Sequence, residues 1–327
     1  MVADQEAVLS VSHLRLALSE SDVTGNLVED LSFEIGRGEM LAFVGESGSG
    51  KSLTAAALLG LLPPGIKQTS GSIRLGSQEL TMLSERQWRR IRGRDIGFVF
   101  QNPLTALNPS ASIRAQIEEV LRVHAGGARR HREDRAAQLL REVGLADLAG
   151  PQTYYPHQLS GGMRQRALIA IALACNPRLL IADEPTTALD VLVQAQILDL
   201  LARLQRERGL AILFITHDLT QAARYAQRVL VLYAGRFMEE GNAAAFFKEP
   251  RHPYSRALRD AIPAFGQETN RLFEIPGSAP EAGHYPPCCR FAPRCTRRTK
   301  QCEQSSPPLS AGATCCACFH PYEAHRP

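Results

Sequence analysis

The segment Gly45-Glu46-Ser47-Gly48-Ser49-Gly50-Lys51-Ser52 constrains this chain more than any other. It is a complete G-x-x-x-x-G-K-S loop, which needs a strand before it and a helix after it. Both are legible: Met40-Leu41-Ala42-Phe43-Val44 is an apolar run of strand length, and Leu53 to Leu62 reads as a buried helix. The glycines allow backbone angles that turn successive N–H groups towards phosphate oxygens. The helix adds the positive end of its dipole. Lys51 is expected to reach the β- and γ-phosphates of a nucleotide and the Ser52 hydroxyl to ligate Mg²⁺, with Thr54 in the same helical turn.

The flanking pattern extends this unit into an α/β fold. Residues 8–18 and Leu31 to Ile35 alternate apolar and polar, as half-buried strands do. Residues 96–100, 179–182 and 211–215 are short apolar runs that read as buried strands. Helical periodicity fills 111–148, with a break at Gly126 to Arg132, and recurs at 164–175 and 191–207. Strands alternating with helices predict a mainly parallel sheet covered by helices. Residues 229–233 and 236–240 read as two strands joined by a turn at Ala234-Gly235. Beyond about residue 262 periodicity fades into prolines, cysteines and turn residues, and a domain boundary is expected there.

Composition excludes several function classes. A net charge of +4 over 327 residues is mild and gives no reason to expect nucleic acid as a partner, which a dense basic patch would signal. No run of about 18 apolar residues occurs, so no membrane-spanning helix is expected. Asp4 and Glu6 stand where a signal peptide would be basic, and no apolar core follows. The protein is expected in the cytoplasm, reaching a membrane only through a partner. Of eight cysteines, only Cys175 precedes Cys288. A cluster of this kind in a cytosolic protein suggests metal or redox chemistry more than disulfides.

Leu179-Leu180-Ile181-Ala182-Asp183-Glu184 is an apolar strand ending in two carboxylates. Asp183 is placed to hold Mg²⁺, and Glu184, one residue further, to polarise an attacking water. These groups define a nucleotide hydrolase without fixing its type. The type comes from Leu159-Ser160-Gly161-Gly162-Met163-Arg164-Gln165-Arg166, which resembles the LSGG signature of ATP-binding cassette (ABC) ATPases. The resemblance extends to Gln101 at the Q-loop position, Asp190 at the D-loop and His217 at the switch histidine. It implies a P-loop NTPase core, mainly parallel with an antiparallel β subdomain, and a helical subdomain at about 102–170. It also implies ATP and Mg²⁺ as cofactors, with Ser52, Gln101 and Asp183 around the metal and Glu184, Gln101 and His217 as the catalytic set. Ser160, Gly161, Gly162 and Asp190 would face the nucleotide of a second, paralogous ATPase subunit in a head-to-tail dimer. No Phe, Tyr or Trp stands between Leu14 and Ser32 to stack on adenine, which leaves Val23 as an aliphatic substitute.

Gln101-Asn102-Pro103-Leu104-Thr105-Ala106-Leu107-Asn108-Pro109 resembles a stretch of peptide and nickel importers. So do Tyr155-Pro156-His157-Gln158 and Pro250-Arg251-His252-Pro253-Tyr254-Ser255. The chain is most similar to the dipeptide-import type of that family. The resemblance implies import of di- or oligopeptides, with nickel or another small solute as the alternative cargo. The implied partners are two integral-membrane permease subunits and, indirectly, an extracytoplasmic peptide-binding protein, with the chain peripheral on the cytoplasmic face of the membrane. A soluble, non-transport ABC ATPase is the remoter reading. Ribosomal forms usually carry two cassettes, and DNA-repair forms carry a coiled coil for which this chain has no sustained heptads. Cys289, Cys295, Cys302 and Cys318 resemble the C-terminal cysteine pattern of these importers, where four cysteines in part of the family hold a [4Fe–4S] cluster. Four thiolates also suit tetrahedral zinc, and a tail without metal stays open.

Overall fold

The computed structural model describes residues 7–19, 25–150, 152–262, 274–310, 312 and 314–323. In chain order the first elements are β1 (Ala7–Leu18), β2 (Asn26–Gly36), β3 (Met40–Val44), α1 (Lys51–Leu58), β4 (Ile66–Leu75) and β5 (Gln78–Glu79). Then follow α2 (Glu85–Ile91), β6 (Ile96–Val99), α3 (Pro103–Ala106), α4 (Ile113–His124), α5 (Arg129–Glu142), α6 (Gly161–Ala172), β7 (Leu179–Asp183), α7 (Val191–Arg208) and β8 (Ala211–Ile215). The last are α8 (Leu219–Tyr225), β9 (Arg228–Tyr233), β10 (Arg236–Asn242), α9 (Ala243–Lys248), α10 (Pro253–Asp260), α11 (Lys300–Gln304) and β11 (Cys315–Cys316). The chain divides into two units, one formed by residues 1–9, 35–39 and 82–215, the other by 10–34, 40–81 and 216–327.

In the first unit β6, β7 and β8 run parallel, with Val99 beside Ala182 and Asp183 beside Ile215. Every residue of β7 and β8 is buried, as expected for strands covered on both faces. This register ends β6 and β7 at the same edge, so Gln101 and the Asp183-Glu184 pair emerge together. Helices α4–α6 carry the apolar stripe read from the sequence: Ile113, Ile117, Leu121, Leu139 and Leu140 are all buried. Gly97 lets α6 approach closely, since a Cβ there would lie 2.5 Å from the Ala172 carbonyl oxygen. Asp190 caps α7 by accepting from the Val193 N–H at 2.9 Å, and Gly209 ends it in the left-handed region at φ 61°.

In the second unit β3 is parallel to β9, while β9–β10 and β10–β11 are antiparallel. A separate sheet has the order β2-β1-β4-β5, with β4 and β5 antiparallel. The C-terminal region is tied to β10 by the Glu239 carboxylate, which is fully buried. It accepts from the backbone N–H groups of Arg251 and His252, both at 2.8 Å, and so closes the start of α10. Burial raises its pKa, and those bonds oppose the rise.

Three expectations are corrected. Helix α1 begins at Lys51 and stops at Leu58, short of Leu62, because Gly60 turns into the left-handed region at φ 60° ahead of Pro63 and Pro64. Strand β2 begins at Asn26, ahead of the alternation read from Leu31. Helix α5 starts inside the stretch read as a break, where Arg129 and Glu133 pair at 2.7 Å one turn apart. Among the described residues no helix is long and apolar enough to cross a membrane.

Candidate functional site

The phosphate loop leaves β3 at Val44 and enters α1 at Lys51. Gly45, Gly48 and Gly50 have φ of 147°, 78° and 102°, angles that L-residues rarely adopt. The loop is braced from inside by the Ser49 N–H, which donates to the Glu46 carbonyl at 3.2 Å, and by the Thr54 hydroxyl, which donates to the Gly50 carbonyl at 2.8 Å. From outside, the Gly235 N–H of the β9–β10 turn donates to the Ser49 carbonyl at 3.0 Å. The buried Lys51 folds over the loop, its Nζ donating to the Gly45 carbonyl at 2.7 Å and the Glu46 carbonyl at 3.0 Å. Ser47, Gly48 and Ser52 face outwards. The result is a cradle of N–H groups at a helix start with one ammonium over it, a donor set that fits a polyphosphate. The Ser52 hydroxyl in the first turn fits a divalent cation beside that phosphate. His217 lies in the same unit. The Thr216 N–H before it donates to the Phe43 carbonyl at 3.1 Å, which carries the exposed imidazole to the end of β3.

The acidic half of the set is built in the other unit. Asp183 is the last, nearly buried residue of β7. Glu184 follows at φ 45°, a left-handed angle uncommon outside glycine. Its N–H donates to the Ile215 carbonyl at 2.9 Å, and its Oε2 accepts from Gln101 Nε2 and from the Thr187 hydroxyl, each at 2.9 Å. The left-handed turn after the strand and these bonds fix the carboxylate in place, which suits a group that orients or deprotonates a water. Ser160 caps α6 by accepting from the Met163 N–H at 3.3 Å. Gly161 and Gly162 form the first turn: a Cβ on Gly162 would meet the Val193 side chain at 2.6 Å, and one on Gly161 would lie 3.2 Å from Leu189. The signature therefore packs against the residues flanking Asp190.

The adenine position read at Val23 lies outside the described residues. Cys289, Cys295, Cys302 and Cys318 line one small cavity of about 10 Å³ in the C-terminal region. Burial pushes the Cys289 thiol up to about 11 and raises Cys295 and Cys318 as well, so these thiols are protonated at neutral pH and would release protons on binding a metal. Among the described residues, no three His, Cys, Asp or Glu side chains lie close enough to hold a single metal ion. The four thiols share a cavity without forming a tight single-ion site.

Two residues at the phosphate loop escaped the sequence reading. The Tyr254 hydroxyl accepts from the Glu46 N–H at 2.9 Å, and Arg294 pairs with the Glu46 carboxylate at 2.7 Å. Nothing in their spacing signals this. Only the pairing of a buried arginine with an acidic loop residue would have.

These two half-sets are those of a P-loop ATPase with an ABC signature, and comparison with known proteins agrees. The ABC transporter family model matches residues 28–187, and the model of the oligopeptide/dipeptide transporter C-terminal region matches 238–302. The chain is 42% identical over 304 residues to the dipeptide transport ATP-binding protein DppD of Escherichia coli (strain K12), covering 93% of each chain. It is 44% identical over 303 residues to the oligopeptide transport ATP-binding protein AppD of Bacillus subtilis (strain 168), covering 92% of each. A dimeric ATP-binding cassette solved in a post-hydrolysis state with ADP and phosphate superposes with a TM-score of 0.64 at 30% identity, covering 72% of this chain and 98% of that one. The chain belongs to the ATP-binding proteins of the ABC transporter family and is an ATPase.

Proposed function

We propose that this ATPase powers the import of di- or oligopeptides through a membrane permease. The observation that carries the reading is that the likeness to peptide-transport ATP-binding proteins runs the length of the chain, the C-terminal region included. Residues 1–262 form the cassette and 263–327 its extension. Lys51 and the loop N–H groups bind the triphosphate, and Ser52, Asp183 and Gln101 hold its Mg²⁺. Glu184 accepts the proton of the attacking water, and His217 orients the γ-phosphate. Ser160, Gly161, Gly162 and Asp190 close over the nucleotide of a paralogous ATPase subunit bound head to tail. The pair docks on two permease subunits at the cytoplasmic face of the membrane. Hydrolysis removes the contact that favours the closed pair and lets the subunits part. Proteoliposomes holding the chain with its co-purified permease and partner ATPase are expected to accumulate labelled dipeptide only with ATP and the binding protein present. Uptake of nickel without peptide uptake would move the cargo to the alternative class.

On the resemblance of the tail to these importers, a [4Fe–4S] cluster is the group that Cys289, Cys295, Cys302 and Cys318 would hold. They share one small cavity, in which no three of them converge on a metal ion. Their four thiolates would ligate the cluster, which would cross-link the tail. Protein purified without oxygen is expected to contain iron and sulfide and to absorb broadly near 400 nm. Zinc, or no metal, in that preparation would remove the cluster.

A further inference from the structure

Glu46 is an unusual neighbour for a nucleotide. A carboxylate inside a loop that binds a triphosphate repels the charge the loop exists to hold. In this structure it is not left alone. The Arg294 guanidinium meets it through two parallel bonds, Nη1 to Oε2 at 2.7 Å and Nη2 to Oε1 at 3.0 Å. The other donors of Arg294 are also placed: Nε donates to the Pro276 carbonyl at 2.9 Å, Nη1 to the Tyr233 hydroxyl at 3.2 Å and Nη2 to the Ile275 carbonyl at 3.3 Å. All five N–H donors of the fork therefore have acceptors, a fit that lysine cannot reproduce. The arginine is nearly buried, and pairing with Glu46 raises its pKa further above the ordinary value.

A second anchor reaches the same loop residue. Tyr254, fully buried at the start of α10, accepts from the Glu46 N–H. Tyr254, Tyr233 and Phe291 form one aromatic cluster, with ring centroids 4.6 Å apart for the two tyrosines and 5.2 Å apart for Tyr254 and Phe291. Phe291 opens the short turn Ala292–Arg294, which ends at Cys295 on the thiol cavity. The C-terminal region therefore holds both the backbone and the side chain of one phosphate-loop residue.

We propose that Arg294 is a positioning residue for nucleotide binding: it neutralises and fixes Glu46, which makes the C-terminal extension a working part of the ATP site. The inference rests on the ATPase reading and deepens it. Removing the guanidinium leaves the Glu46 carboxylate uncompensated within the phosphate loop and frees the loop from its brace.

The test is a fluorescence titration of the full chain with a labelled ATP analogue and Mg²⁺. Arg294→Ala is expected to weaken binding about tenfold, the scale of one lost charge-assisted pair. Adding Glu46→Gln to that variant is expected to recover most of the loss, because the repulsive charge goes with it. A merely structural role for Arg294 predicts no such recovery. Arg294→Lys, which keeps the charge and loses the fork, is expected to fall between parent and alanine variant, and it serves if Arg294→Ala does not fold. An affinity for Arg294→Ala within twofold of the parent, or for Arg294→Lys equal to the parent's, overturns the proposal, as does a loss that Glu46→Gln leaves in place. Failure of the parent chain to bind the analogue would instead count against the ATP-site reading itself.

Discussion

A Glu184→Gln chain is expected to bind ATP as the parent does and to hydrolyse it at least about a hundredfold more slowly, the scale of a lost general base. The geometry makes this substitution specific. Glu184 sits at φ 45° with its N–H bonded to the Ile215 carbonyl, so the backbone fixes where the side chain starts. Its Oε2 accepts from Gln101 and Thr187, each at 2.9 Å, and the carbonyl oxygen of a glutamine can accept both. The variant keeps the size of the side chain and its bonds to Gln101 and Thr187, and loses the capacity to take a proton. Binding persists while turnover stops, so the nucleotide-bridged pair of ATPase subunits should accumulate. Phosphate release measures the first effect, and gel filtration with ATP and the partner subunit measures the second. Undiminished hydrolysis would remove Glu184 from the role of base.

Much of this arrangement was legible because the chemistry demands contiguous residues. The phosphate loop, the strand ending in Asp183-Glu184 and the Ser160-Gly161-Gly162 helix start are each short segments. There the backbone conformation follows from residue type: glycine where φ is positive, serine where a helix starts, an unbroken apolar run where a strand is buried on both faces. Strands β3, β7 and β8 lie within a residue of where those runs predict them. Elements whose identity comes from packing were harder to see. Strand β4 and helix α2 have no strong period of their own, and none was read from the sequence at 66–91. The pairing of Arg294 with Glu46 links residues 248 positions apart, and no local pattern encodes it. The Cys289, Cys295, Cys302 and Cys318 set was found by resemblance, since spacings this wide carry no geometric signature.

Gly45→Ala is expected to cost about 3 kcal/mol or more of stability and to abolish nucleotide binding, where Gly48→Ala should cost about 1–2 kcal/mol, the price of left-handed backbone alone. Both glycines sit at positive φ, and the 147° of Gly45 is harder for an L-residue to adopt than the 78° of Gly48. Space separates them further. A Cβ on Gly48 would meet nothing within 4 Å, whereas one on Gly45 would lie 2.1 Å from the Leu232 carbonyl oxygen and 3.1 Å from Ser49 Oγ. The Leu232 oxygen is backbone, one residue beyond the Val231 that pairs with Val44, so relief requires pulling β9 from β3. The loop would open at its first residue, which displaces the Gly45 carbonyl that receives Lys51 Nζ and with it the ammonium over the phosphate cradle. Thermal denaturation of the two variants beside the parent gives the stability order, and titration with labelled ATP gives the binding loss. If the two variants melt together and bind alike, the close approach of β9 does not set the loop, and the phosphate site must draw its shape from α1 alone.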